Sequence, residues 1–340
     1  MMSSLRRIRR RNLSLTVGLC LLLISLLVIL ISLNTGSIRL SPFEVWQTFV
    51  GQGSPDSQLV LFEYRLPRIL ITMLAGIGLG VSGAILQGIT RNGLADPGIL
   101  GLHAGAAFGL IVFVSFFHAM KGMPSLLIPV FAFVGGIVTA VLIVILAYDR
   151  HKGIVPIRLI LVGIAIAAGF SAVTLFLSLR LDEATYRFTS RWLLGNVWGR
   201  EWIHVYALLP WILAFIPYTF SKWKVMNAFS LGDETTAGMG IAVNRERMLL
   251  LMSAVALSSA SVAMAGGIGF LGLVAPHLAR RLVGPMHQYL LPIAGLIGLV
   301  ILVSADTIGR SIFQPNAIPA GVVVAAVGAP YFLYLLIRTK

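Results

Sequence analysis

Apolar runs long enough to cross a bilayer recur along the whole of this 340-residue chain, separated by short polar turns, and nothing else limits its possible folds so strongly. The first run, Leu13–Leu33, has the length of a spanning helix and no small-residue cleavage signal at its end, so it reads as a retained helix. Further spans are predicted from Arg65 to about Ile89, then at about Gly98–Phe117, Ser125–Tyr148, Ile157–Leu179, Ile203–Phe220, Met248–Ala265, Leu290–Arg310 and Ala320–Ile337. Gly266–Val283 is glycine-interrupted and contains Pro276, so an eighth crossing there is predicted to be short or broken. Helix-length spans without period-two alternation exclude a β-barrel and require an all-α polytopic bundle of about ten transmembrane helices. Residues 1–340 read as one membrane domain, with a basic tail at 1–12.

The chain is 58% hydrophobic and 11% charged, so its net charge of +14 has to be read by position and not as a nucleic-acid footprint. Arg6, Arg7, Arg9, Arg10 and Arg11 precede the first span. Ten crossings place both termini on one side, and the segments on that side carry 17 of the 26 Lys and Arg against 9 opposite. That bias predicts cytoplasmic termini in a bacterial cytoplasmic membrane. On this count Asn34–Tyr64, the turn Lys121–Pro124 and Arg180–Glu201 face outward, with Trp192, Trp198 and Trp202 where an interfacial belt or a short re-entrant helix would place them. Cys20, the only cysteine, lies within the first span, so no disulfide forms within one chain.

Soluble-enzyme signatures are missing or misplaced. There is no Gly-x-x-x-x-Gly-Lys-Ser/Thr loop, and the six histidines show no paired ligand spacing, so neither ATP hydrolysis nor a metal or cofactor site is expected. Gly78-x-Gly80-x-x-Gly83 and Gly267-x-Gly269-x-x-Gly272 match a dinucleotide fingerprint formally. Both sit at membrane depth with no preceding strand, and small residues there suit close helix packing instead.

Two features stand apart. The stretch 231–243, LGDETTAGMGIAV, is polar, helix-compatible and broken by Gly232, Gly238 and Gly240 between two spans. It suits docking into another protein's groove, and an ordinary inter-helix loop explains it equally well. Ionisable groups at membrane depth are the second feature. Asp306 and Arg310 are four residues apart on one helix face, which reads first as an i,i+4 pair and second as an arginine exposed at the outer end for an anionic partner. Arg65 and Arg68 share a face at the outer start of the second span, where snorkelling accounts for either one singly.

The succession RLPR (65–68), SGAILQGITRNGLADPGILG (82–101), LGDETTAGMG (231–240), GGIGFLGLVAPHLARRLVG (266–284), AD followed by R (305–310) and IPAGVVVAAVGAPYFLYLL (318–336) closely resembles the FecCD-type permeases of ABC importers for iron–siderophore, haem and cobalamin. The resemblance covers nearly everything after the first helix. It implies an inverted-repeat bundle that pairs with a second permease subunit, identical or a non-identical sister, on two separate ATP-binding subunits beneath a substrate-binding protein. The implied cargo is a ferric siderophore, with cobalamin or haem as alternatives; an ion-coupled secondary transporter is the alternative from another class. The resemblance assigns Arg65, Arg68 and Arg310 to binding-protein docking, and Leu231, Gly232, Asp233, Glu234, Ala237, Gly240 and Ile241 to ATPase coupling. It points to Trp192, Leu194, Gly195 and Asn196 for the gate, and its blocks carry a structural set of Arg91, Asn92, Asp96, Pro97, Pro276, His277 and Arg280. Departures from the family pattern are Gly93 in the inner turn, Ala317 before the last outer proline, and Met286 and Gln288 around His287. They suit a subunit that joins a non-identical sister.

Overall fold

A computed structural model describes residues 2–36, 38–117, 125–150, 153–312 and 317–338. The expected turn at 121–124, together with His118, His151 and Lys152, lies outside the described residues. Helix α1 (Met2–Asn34) runs through the basic segment without a break. The polar stretch between α1 and the second span is more ordered than its polarity suggests. It holds α2 (Pro42–Phe49), α3 (Pro55–Gln58) and a π-helical turn at Leu59–Arg65 that leads directly into α4 (Leu66–Thr90).

Local chemistry explains these boundaries. The Ser41 hydroxyl accepts from the Glu44 N–H at 3.2 Å while the Glu44 carboxylate accepts from the Ser41 N–H at 2.6 Å, a reciprocal cap that starts α2. Pro67 has no N–H to donate back along the helix, which accounts for the widened turn just before it. α4 stops where Arg91 takes a left-handed conformation at φ 52°.

The chain continues through α5 (Leu102–Phe117), α6 (Leu127–Ala147), a two-residue antiparallel pair β1 (Tyr148–Asp149) and β2 (Gly153–Ile154), and α7 (Pro156–Ser178). This small hairpin is the one departure from an all-α chain among the described residues. Then follow α8 (Glu183–Leu193), α9 (Trp202–Ser221), α10 (Trp223–Phe229), α11 (Asp233–Gly238), α12 (Val243–Ala265), α13 (Leu271–Val283), α14 (His287–Ser311) and α15 (Ala320–Arg338). Among the described residues seven helices have the length and apolarity to cross a membrane, and α5 and α15 are shorter apolar helices. With the short α13 they account for the ten expected crossings, and α13 is broken from α12 at Gly266–Phe270 as its glycines required.

α4 is the axis of the bundle, packed against α9, α12, α13 and α14. The formal dinucleotide motif is its packing face. A Cβ on Gly83 would lie 1.8 Å from the Gly272 carbonyl oxygen, and one on Gly76 2.6 Å from that of Gly298, so only glycine permits these crossings. The Ser82 hydroxyl donates to the Ala254 carbonyl at 2.8 Å, fixing α4 to α12. The two helices run in opposite directions and head the two halves, α4–α7 and α12–α15, as an inverted repeat requires. One end of the bundle, the α11 end, carries the C-terminus of α4, the β pair and the start of α12. The other, the α8 end, carries the start of α4 and the C-termini of α12 and α14.

Candidate functional site

Three sites emerge, two of them built on an aspartate between two arginines. At the α8 end, Asp306 is 2% exposed. Arg68 grips it with two nitrogens, Nη2 to Oδ1 at 2.6 Å and Nε to Oδ2 at 3.0 Å, the planar geometry in which guanidinium and carboxylate match best. Arg310 lies 3.6 Å from the same carboxylate. The i,i+4 pairing is therefore present, but the closer partner comes from α4.

Arg65 and Arg310 differ from expectation. Both are buried, and neither snorkels nor stands at the surface. Arg65 donates to the carbonyls of Leu33 and Ile38, and Arg310 to those of Ser32 and Thr35 and to the Ser32 hydroxyl. The α1–α2 connection lies across them, with Gly36 so close that an added Cβ would sit 3.2 Å from Arg310 Nη1. The physical reason is desolvation: guanidiniums shielded from water need acceptors, and the carbonyls left free at the end of α1 supply them.

At the α11 end, α10 and α11 form a compact knob. Gly232 at φ 102° separates them and Gly240 at φ 80° closes the segment, as the glycine pattern predicted. Leu231 and Met239 are exposed, as are Glu234, Ala237 and Gly240, while Ile241 is half-buried. Asp233 points inward instead: its Oδ1 lies 2.7 Å from Arg247 Nη2 and 3.3 Å from Arg91 Nη2. Arg247 is 1% exposed, donates to the Ile154 carbonyl at 3.2 Å and stacks on the Phe229 ring with 5.4 Å between guanidinium carbon and centroid. α10 is fastened separately. Asn227 donates to Gln288 at 2.9 Å and its Oδ1 accepts from the His287 N–H at 2.9 Å. Gln288, one of the departures beside His287, is thus engaged in a neutral hydrogen bond.

The structural set falls in the turn after α4 and on α13. Asn92 Oδ1 accepts from the Leu94 N–H at 2.9 Å, and Asp96 Oδ1 accepts from the Gly98 N–H at 2.7 Å. Burial pushes the Asp96 carboxyl up to about 6, against the lowering effect of the Gly98 and Ile99 N–H groups. The Pro97 ring abuts Gly272, Arg280 reaches Gln87 at 3.4 Å, and His277, one residue after Pro276, sets its ring edge-on to Tyr331 with centroids 5.9 Å apart.

The third site is a junction of three backbones. Trp192 is buried at the end of α8, its carbonyl accepting from the Gly267 N–H at 3.3 Å, and the Gly195 carbonyl accepts from the Gly321 N–H at 3.2 Å. Gly195 needs its φ of 78°, since a Cβ there would stand 2.8 Å from Ile268. Leu194 remains exposed, and Asn196 caps the following turn by accepting from the Trp198 N–H at 3.0 Å. α8, the Gly266–Phe270 break and the start of α15 therefore meet at one point.

Arg247, Phe229 and Ile154 were not among the site residues read from the sequence. The available signal was an arginine followed at once by the apolar run of α12.

Comparison with known proteins gives the same architecture. Residues 22–338 match the FecCD transport family. The iron(3+)-hydroxamate import system permease protein FhuG of Bacillus subtilis is 44% identical over 322 residues, covering 94% of this chain and 95% of that protein. The iron-uptake system permease protein FeuC of the same organism is 44% identical over 321 residues, covering 93% and 95%. A solved inward-facing ABC transporter described as of metal-chelate type superposes with a TM-score of 0.83 at 30% identity, covering 95% of this chain and 99% of that one.

Proposed function

The chain belongs to the FecCD transport family, and from that membership we propose that it carries a ferric siderophore, of hydroxamate or related type, across a bacterial cytoplasmic membrane as the permease subunit of an ABC importer. Members of this family are transport subunits and not enzymes, so ATP is hydrolysed by partner subunits. The observation that carries the cargo reading is 44% identity, over nearly the full length of both chains, to a permease of ferric hydroxamate import.

In this reading the α11 end faces the cytoplasm, with both termini on that side. Leu231 and Met239 give the knob an exposed apolar surface for an ATP-binding subunit, rimmed by Glu234. The α8 end faces outward and receives the substrate-binding protein. Arg68 and Arg310 share one carboxylate there, while Arg65 and the outer nitrogens of Arg310 are satisfied by neutral carbonyls. Carboxylates on a binding protein would be stronger partners, so docking at Arg65 and Arg310 requires the α1–α2 connection to shift aside. A second permease subunit completes the path, with the junction at Trp192–Asn196 as its gate. Ion-coupled transport is the weaker reading because Asp306 is held by Arg68 and Arg310 and is not available as a proton carrier.

Uptake of radio-iron-labelled ferric hydroxamate in a strain lacking this chain tests the cargo. Uptake should be lost in the deletion and restored by the wild-type copy, and should persist when the ion gradient is collapsed with ATP supplied. Unchanged uptake in the deletion strain would sink the hydroxamate assignment, and gradient-dependent uptake would sink the ATP-driven one.

A further inference from the structure

The knob has to move something if it is to transmit force, and its attachments say what. α11 has six residues, too few to hold its own shape, and Thr236 is its only buried side chain. Its charged link to the rest of the bundle is Asp233. That carboxylate meets Arg247, in the second turn of α12, and the same guanidinium donates to the carbonyl of Ile154. Ile154 is separated only by Val155 from Pro156, where α7 begins. One buried side chain therefore ties the knob to the second turn of α12 and to the strand that leads into α7.

Both helices run to the opposite end of the bundle, where α12 reaches the Trp192–Gly267 junction directly and α7 reaches it through α8. α12 ends at Ala265, immediately before Gly266 and Gly267, and the Gly267 N–H donates to the Trp192 carbonyl. α7 ends at Ser178, leading through a short connection into α8, which carries Trp192. We propose that Arg247 is a positioning residue, the joint at which displacement of the knob divides between α7 and α12 and so reaches the Trp192–Gly267 junction from both sides. The proposal rests on the importer reading given above.

Its geometry separates this role from docking. At 1% exposure Arg247 has no surface to offer an ATP-binding subunit, whereas Leu231 and Met239 are exposed. The guanidinium is shared between a carboxylate and a carbonyl on different segments, an arrangement that only a forked donor can make. Stacking on Phe229 holds its plane. Lysine retains the charge but cannot reach both acceptors in the same fixed geometry, and glutamine retains one hydrogen bond without the charge.

The test uses the whole transporter, with its second permease, both ATP-binding subunits and the binding protein, reconstituted in proteoliposomes. Three quantities are read for wild type, Arg247→Lys and Arg247→Gln: ATP-binding subunits retained on the purified permease, the rise in ATP hydrolysis when loaded binding protein is added, and cargo delivered per ATP hydrolysed. For Arg247→Gln, retention should stay within about twofold of wild type, while the rise in hydrolysis and the cargo per ATP fall at least tenfold. Arg247→Lys should retain the subunits and recover part of the coupling, to within about threefold to fivefold of wild type.

Coupling near wild type in Arg247→Gln would overturn the proposal. So would loss of the ATP-binding subunits in step with loss of uptake, because Arg247 would then shape the docking surface and nothing more. If Arg247→Gln does not yield a folded permease, Arg247→Lys decides alone: coupling equal to wild type contradicts the joint, and reduced cargo per ATP with full retention supports it. Failure of the wild-type permease to retain any ATP-binding subunit would count against the importer reading and not against the joint.

Discussion

The two Arg–Asp–Arg clusters have the same chemical parts and opposite surroundings. Asp306, at the α8 end, is 2% exposed and held by two nitrogens of Arg68, whereas Asp233, at the α11 end, has a side chain 39% exposed and makes single contacts to Arg247 and Arg91. A carboxylate shut away from water with its cations is a lock, since parting any member strands a charge where nothing can solvate it. One that keeps water on one side can give up its half-exposed Arg91 contact at little cost, because solvent screens it, and stays anchored on the buried Arg247. The contrast suits a fastening at one end of the transporter and an adjustable linkage at the other.

The sharpest way to break this contrast is to neutralise each aspartate. Asp306→Asn leaves Arg68 and Arg310 without their carboxylate, and should destabilise the protein by about 3–5 kcal/mol, the usual consequence of removing one partner of a buried pair. Thermal unfolding in detergent, followed by loss of monodisperse protein, measures it. A melting temperature equal to wild type would mean that water already reaches the cluster.

Asp96 extends the comparison to a third aspartate, buried with backbone N–H groups for partners. Its folded pKa, about 6, lies above the ordinary value of 3.8, so the folded protein holds this proton more tightly than the unfolded chain. The contribution to stability is therefore complete below about pH 4 and is lost as pH rises through about 6. Between pH 5 and pH 7 the wild-type melting temperature should carry a downward component that Asp96→Asn lacks. Parallel curves for the two proteins would contradict it.

Asp233→Asn should cost less in stability than Asp306→Asn, on the order of 1–2 kcal/mol, because the carboxylate is partly solvated while Arg247 is not. Uptake should nonetheless fall about tenfold, since the knob loses its ionic tie to Arg247. Arg91→Gln removes only the half-exposed contact at 3.3 Å and should change stability by less than about 1 kcal/mol and uptake by less than about twofold. If Arg91→Gln proved as damaging as Asp233→Asn, the α4 contact and not Arg247 would be the important one.

Much of this arrangement was legible in sequence because it is written locally. Span lengths, the break at Gly266–Phe270 and the glycine-bounded knob follow from hydropathy and from backbone conformations that only glycine takes readily. Ser41 and Glu44 form a capping pair that the sequence displays at the right spacing, within a stretch whose polarity alone speaks only for its place outside the spans. What could not be read was partnership across the chain. Arg68 finds Asp306 238 positions away, and Arg247 finds Ile154 93 positions away, separations that leave no periodic trace. The burial of Arg65 and Arg310 leaves no local trace for the same reason. Their cover comes from the end of α1, which only the folded packing brings over them.

The dependence of transport on the knob is tested most directly by a cross-link from its exposed surface. In a Cys20→Ala background, Met239→Cys in the assembled transporter should form a disulfide or short bifunctional cross-link to an ATP-binding subunit, and should be modified by a membrane-impermeant maleimide only in inverted vesicles. Labelling of Met239→Cys in intact cells, or its failure to cross-link in a complex that hydrolyses ATP and imports cargo, would contradict a cytoplasmic knob gripped by the ATPase.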